Sequence, residues 1–307
     1  MSKRELITQM QTVFVCLTFA FPLYAQTAEN GQPLTAASGE KWTIRWNRSD
    51  DFNGDEVDWR KWNRTPEKFG AWTWDNQNNC KVTDGFLTII MRRDENPDAG
   101  AGRQPTPYKS GMLKSFATGT YGYYEVRLKG APLFPGVCPS FWLYSPIDDK
   151  LVSVGAVRYS EIDIVELTQR GDRVAGNERI ADLNLHAILS NGKSGLSGRD
   201  WLRPNDERYK LTQANEYITP FDPRSGFHVY GCDVTREHIT WYVDGKEIGQ
   251  KKNEYWHRKM NVALSLGLRP PYSKYTPKGF VPVTDQPGDG FPTAMVVDYI
   301  RVWERAE

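Results

Sequence analysis

The stretch Tyr159-Ser160-Glu161-Ile162-Asp163-Ile164-Val165-Glu166 sets three carboxylates among β-branched residues, in a run that otherwise reads as a buried strand. Side chains on a strand alternate faces, so Glu161 and Asp163 point the same way. Glu166 is out of step: it lies five residues after Glu161, and a regular strand turns it to the far side. One extra residue at Ile164-Val165, a β-bulge, returns Glu166 to the face of the other two. The competing reading is a solvated strand face that carries three acids. Like charges crowded on one sheet face repel unless something uses them, so the stretch points to a paired-carboxylate catalytic site on a rigid strand.

Outward from this strand, short strand-like runs recur along the chain. Lys41 to Trp46 is the first, and Cys80-Lys-Val-Thr and Phe86 to Met91 flank Asp84-Gly85, a dipeptide that favours a tight hairpin. Tyr121 to Lys129, Val137 to Tyr144 and Ala181 to Leu189 follow. Gly226 to Val234 comes next, then His238 to Val243 turning at Asp244-Gly245 into Lys246 to Gln250. Lys259 to Leu268 and Ala294 to Trp303 close the set. No segment holds an apolar period of 3.6 for three turns. Many short strands separated by turn residues predict an all-β sandwich or barrel in one domain over 41–307. The longer connections, Arg92 to Lys109, Thr168 to Arg179, Ser190 to Pro223 and Arg269 to Pro292, are expected to wall a cleft.

The composition narrows the class. Of 307 residues, 39 are basic and 38 acidic, without the excess that a general nucleic-acid binder carries. Lys3 and Arg4, the apolar run Thr12 to Leu23 and Ala25 read as an export signal over 1–25, too short for a membrane anchor. Residues 26–40 read as a flexible lead-in. Beyond the leader stand Cys80, Cys138 and Cys232, an odd number without metal-ligand spacing, so at most one disulfide forms and free thiols are an equal alternative. Eleven Trp, 15 Tyr and 13 Phe suit both sandwich cores and sugar-stacking surfaces.

Glu161-Ile-Asp-Ile-Val-Glu166 resembles the signature of glycoside hydrolase family 16, in its variant with the bulge. Tyr121-Gly-Tyr-Tyr-Glu-Val-Arg, Phe134-Pro-Gly-Val, Phe141-Trp-Leu-Tyr-Ser and Tyr159 through Gln169 resemble the κ-carrageenase branch of that family. So do Ile239 through Gly245, Tyr255-Trp-His-Arg-Lys-Met-Asn261 and Gly267-Leu-Arg269. The resemblance implies a jelly-roll β-sandwich of two curved antiparallel sheets with a concave substrate cleft. It also implies a secreted, endo-acting, retaining hydrolase of sulfated red-algal galactans, cutting β-1,4 linkages in κ-carrageenan or furcellaran/β-carrageenan hybrids. An agarase or porphyranase of the same family is the first alternative, and a non-catalytic lectin the second. Three clustered acids argue against the lectin.

By that resemblance Glu161 is the nucleophile, Glu166 the acid/base and Asp163 the residue that hydrogen-bonds Glu161. A retaining pair stands about 5–5.5 Å apart, whereas five residues of straight strand span about 16 Å, so the bulge and two inward-leaning side chains must close the gap. The substrate-binding set is Trp72, Trp74, Trp142, His186, Trp201, Arg203 and Arg269. Trp72 and Trp74 resemble a cleft-lining pair, and Trp142 matches a lining position. Trp201 is read in the loop Gly195 to Pro204, where substrate contact is more natural than a core role. Trp241 and Trp303, in regular strands, are read as core. Arg269 matches an arginine that holds a substrate sulfate, a task suited to a planar fork of donors; Arg203 matches another cleft position. His186 is expected on a strand beside the catalytic one. Lys109, Arg127, Arg258 and Lys259 are read as solvated. No cofactor is required; Asp298 lies where some relatives bind a structural calcium. The partner is a sulfated galactan, with neither nucleic acid nor membrane, and the chain is expected to be a monomer. The chain departs from the κ-carrageenase pattern in lacking cysteines in Arg92 to Lys109 and Pro270 to Pro292.

Overall fold

Two hairpins show how directly the chain sets its own turns. Asp84 and Gly85 take φ of 52° and 79°, Asp244 and Gly245 φ of 48° and 77°, the double positive φ that a two-residue β-turn of the right twist demands. The structure is a computed structural model and describes residues 31–35, 40–68, 70–95, 106–171, 174–204, 206–207, 215–276 and 279–306. The export signal read at 1–25 lies outside the described residues. Among the described residues no helix is long and apolar enough to cross a membrane.

Two large sheets face each other. In the outer sheet, Lys246–Lys252, His238–Val243, His228–Val234, Gly122–Lys129, Thr293–Arg305 and Phe86–Arg93 follow in spatial order. In the cleft sheet the order is Arg199–Leu202, Leu185–Ser190, Val157–Leu167, Val137–Tyr144, Met260–Leu268 and Met112–Gly119. The pairings are antiparallel except for the two-residue parallel contact of Thr73–Trp74 with Tyr108–Ser110. The carboxylate strand is therefore central, held on both flanks. This is the jelly-roll sandwich.

The core lies between the sheets, where Trp62, Trp241 and Trp256 are wholly buried. Each such ring contributes on the order of 2–3 kcal/mol by leaving water. Trp303 is also buried, but in a separate small cluster with Trp42 and Tyr123. There Trp303 Nε1 donates to the Gly31 carbonyl at 2.8 Å, and Gln32 bonds the backbone of Trp42 through both ends of its amide. The described part of the lead-in is thus tied down to this cluster.

Several stretches read as connections are in fact short strands. Ser190 to Pro223 contains Arg199–Leu202 and Asn215–Ile218, and Arg269 to Pro292 contains the hairpin Ser273–Thr276 with Gly279–Pro282. Each is only four residues long, too short for alternation to show. The run Ala181 to Leu189 is two strands, Ile180–Leu183 and Leu185–Ser190, broken at Asn184.

Candidate active site

Across the ladder, Val165 faces Phe141 and Asp163 faces Trp142, which leaves Ile164 as the extra residue. Ile164 and Val165 both sink into the core, 1% and 0% exposed, and Glu166 returns to the face of Glu161 and Asp163. The bulge stands where the sequence required it. On the other flank His186 pairs with Glu161 and Asp182 with Glu166, while the broken position Asn184 accepts the Asp163 backbone N–H at 2.9 Å. Two buried indoles satisfy carbonyls near the interruption. Trp241, from the outer sheet, donates to the Asp163 carbonyl at 3.0 Å; Trp256 donates to the Glu161 and His186 carbonyls at 2.9 and 3.0 Å. A buried carbonyl left unsatisfied costs about 1–3 kcal/mol, so these indoles fix the backbone that aims the acids.

The three acids have unlike surroundings. Glu161 accepts a short hydrogen bond from the Tyr159 hydroxyl, and His186 Nε2 stands 3.6 Å from its Oε1 and 3.3 Å from Asp163 Oδ2. Burial pushes the Asp163 carboxyl well above the carboxylate range, with Glu166 and Glu161 adding to the rise and His186 opposing it. Burial alone would pull the His186 imidazole down, but Glu161 and Asp163 outweigh it and push it up to about 9. Burial, with the charge of Glu161, also holds the Tyr159 phenol well above its ordinary value. Glu166 accepts from Asn184 Nδ2 at 3.0 Å, from Gln169 Nε2 at 3.1 Å, from an Arg269 guanidinium nitrogen at 2.9 Å and, at longer range, from the Cys138 thiol at 3.9 Å. Gln169 also reaches Asp182, which Arg170 pairs at 2.9 Å; burial raises the Asp182 carboxyl to about 6 against that pairing.

These groups floor a cleft of about 1240 Å³. Trp142 lines it, its ring stacked 4.5 Å from Tyr144 and its Nε1 donating to Ser265. Trp201 lines it from the edge strand Arg199–Leu202 rather than from a loop, with its ring edge-on to Tyr159 and the Arg203 guanidinium 4.7 Å above it. Trp72 lines the opposite side. Its ring lies over Gly70 and Gly267: a Cβ on Gly70 would meet that ring at 2.6 Å, and one on Gly267 would come within 2.9 Å of the Arg269 guanidinium. Trp74 is not in the cleft wall. It packs edge-on against Trp72 at 5.4 Å and donates its Nε1–H to the Glu67 carbonyl.

Cys80, Cys138 and Cys232 are buried free thiols; Cys138 lies 3.9 Å from Glu166, and burial pushes its thiol up to about 12. Lys109 pairs with Asp94 at 2.8 Å, Arg258 bonds Ser145 and the Val157 carbonyl, and Lys259 is exposed. Asp298 forms a close ion pair with Arg127, and a guanidinium against the only carboxylate in question does not fit a calcium site. Tyr159, Gln169, Asn184 and Asp182 were not singled out by sequence. Alternation alone reaches Tyr159, two residues before Glu161; the others belong to strand ends whose position only the sheet defines.

A family model described as the GH16 domain of β-porphyranases A–D matches residues 42–305. The κ-carrageenase of Pseudoalteromonas carrageenovora is 45% identical over 285 residues, 90% of this chain and 68% of that protein. Its solved complex with an oligotetrasaccharide of κ-carrageenan matches with a TM-score of 0.79 over 90% of this chain and 99% of that one. A second solved structure, a 1,3-α-1,4-β-D-galactose-4-sulfate-3,6-anhydro-D-galactose 4 galactohydrolase, is 45% identical over 90% of this chain and 99% of that one, with a TM-score of 0.78. Sequence and fold agree, and the chain belongs to glycoside hydrolase family 16, as a glycoside hydrolase.

Proposed function

We propose that this protein is an endo-acting, retaining hydrolase of a sulfated red-algal galactan of the κ-carrageenan type, cutting β-1,4 linkages. The observation that carries the reading is the bulge at Ile164, which brings Glu161 and Glu166 onto one cleft floor. Glu166 donates a proton to the glycosidic oxygen while a Glu161 oxygen attacks the anomeric carbon, the leaving group departs as an alcohol, and a glycosyl ester forms. Glu166 then takes a proton from water, whose oxygen displaces Glu161. Two inversions leave the configuration retained. Tyr159 and His186 hold the Glu161 carboxylate in place, and Asp163 shares His186 with it.

The acids stand on a central strand, with Trp201 at one edge of the floor and Trp72 over Gly267 on the other side. A polymer therefore has room on both sides of the cut, as an internal cleavage needs. Arg269 and Arg203 line the same cleft and offer charge-assisted donors to a sulfate ester. The likeness to the κ-carrageenase supports a 4-sulfated galactan; the β-porphyranase description of the matching family model supports porphyran as the second reading. The basic start and apolar run of residues 1–25 support export, where such polymers are met. Incubation with κ-carrageenan, furcellaran, porphyran and agarose, with products sized over time, tests the proposal. Early release of mixed oligosaccharides from κ-carrageenan or furcellaran is expected; cleavage of porphyran or agarose alone would overturn it.

A further inference from the structure

The hairpin Ser273–Thr276 with Gly279–Pro282 belongs to neither large sheet. Its base is nonetheless firmly held. The Tyr272 and Ser273 amides donate to the Arg269 carbonyl at 3.0 and 3.2 Å, and the Val283 amide donates to the Tyr272 carbonyl at 2.8 Å. The Tyr272 ring packs edge-on against Phe291 at 4.9 Å, and the Tyr108 hydroxyl donates to the Val283 carbonyl at 2.9 Å. On this fixed base Tyr275 and Phe280 are a directly opposed cross-strand pair, edge to face at 5.4 Å. Both line the cleft, yet they are 62% and 37% exposed. The Phe280 ring lies 5.7 Å from the guanidinium carbon of Arg269, which in turn holds Glu166.

A cross-strand aromatic pair stabilises a hairpin by itself, and that accounts for the Tyr275–Phe280 contact. It does not account for the exposure. A ring that stays mostly in water beside an acid-lined cleft contributes little to the core and presents a flat apolar surface to whatever enters. We propose that Tyr275, backed by Phe280, is a sugar-stacking platform: it holds one pyranose ring of the galactan at the subsite bordered by Arg269. This deepens the function proposed above and rests on it. The ring buries its exposed face against the apolar face of the sugar, and the anchored hairpin keeps the ordering cost of that contact small.

The test uses the full chain carrying Glu161→Gln, so that binding is read without turnover, and titrates κ-carrageenan oligosaccharides of increasing length by calorimetry. Adding Tyr275→Val, which keeps a strand-forming residue opposite Phe280, is expected to weaken binding about tenfold for oligosaccharides long enough to reach the hairpin. Adding Tyr275→Phe instead, which keeps the ring, is expected to restore it to within about twofold. Unchanged affinity of Tyr275→Val at every length overturns the platform alone. The same holds for equal losses in the Val and Phe variants, since the lost hydroxyl, not the ring, then carries the effect. Hydrolysis by the Glu161→Gln parent, or failure of that parent to bind any length, overturns the function proposed for the cleft instead.

Discussion

Glu161 and Glu166 are the same residue type on the same strand, yet the sheet surrounds them with different groups. Around Glu161 stand a phenol, a second acid and an imidazole: Tyr159, Asp163 and His186. Around Glu166 stand an amide from Asn184, an amide from Gln169 and the guanidinium of Arg269. The partition follows from the bulge. From Tyr159 to Ile162 the strand pairs in step with residues 185–188 of Leu185–Ser190; at Glu166 and Leu167 it pairs with Asp182 and Ala181 of Ile180–Leu183, so the two glutamates meet different neighbours. One inserted residue thus does two things: it turns Glu166 into the cleft and hands it to a separate set of donors. A pair of identical carboxyls acquires two environments, as a mechanism with two roles requires.

The sharpest way to break the comparison is to neutralise each glutamate in turn. Glu161→Gln and Glu166→Gln are each expected to lower turnover by more than ~10³-fold with the melting temperature little changed. Activity near that of the parent in either variant would remove the role assigned to it.

The Glu166 side is probed next through Arg269. Arg269→Ala removes a charge-assisted donor that lines the cleft, so turnover on sulfated polymer is expected to fall ~10–10²-fold, well beyond the loss on a desulfated one. Equal losses on both would mean that Arg269 serves Glu166 alone.

The Glu161 side is read through pH. His186 is raised to about 9 in the folded chain, so its protonation stabilises the fold fully below about 6.5, its unfolded value, and the benefit is lost as pH rises to about 9. The melting temperature of the parent is expected to exceed that of His186→Gln near pH 6 and to approach it above pH 9. A gap that does not narrow would show that the imidazole is held neutral.

The smallest effect concerns the backbone beneath both glutamates. Trp241→Phe leaves the Asp163 carbonyl without its donor and is expected to cost about 1–3 kcal/mol in denaturant unfolding, with a partial loss of activity. A variant as stable as the parent would mean that the indole bond is replaced by another donor.

The sequence revealed most where a rule is local and periodic. The out-of-step Glu166 announced the bulge, and Asp84-Gly85 and Asp244-Gly245 announced their turns, because alternation and turn chemistry act within a few residues. What it concealed depends on register between distant segments. Nothing in the run Ala181 to Leu189 shows that Asn184 breaks it opposite Asp163 or that its amide serves Glu166. Trp72 and Trp74 look equivalent along the chain, but Trp72 enters the wall over two glycines while Trp74 turns to the Glu67 carbonyl. Four-residue strands such as Arg199–Leu202 are too short to show a period, so Trp201 read as a loop residue.

The double displacement at Glu161 and Glu166 is the central claim, and the anomeric configuration of the first-formed product tests it most directly. Proton NMR of κ-carrageenan taken in the first minutes of digestion, before mutarotation, is predicted to show the new reducing ends as the β-anomer. An α-anomer appearing first would mean that water attacks the sugar directly, and that Glu161 is not the nucleophile.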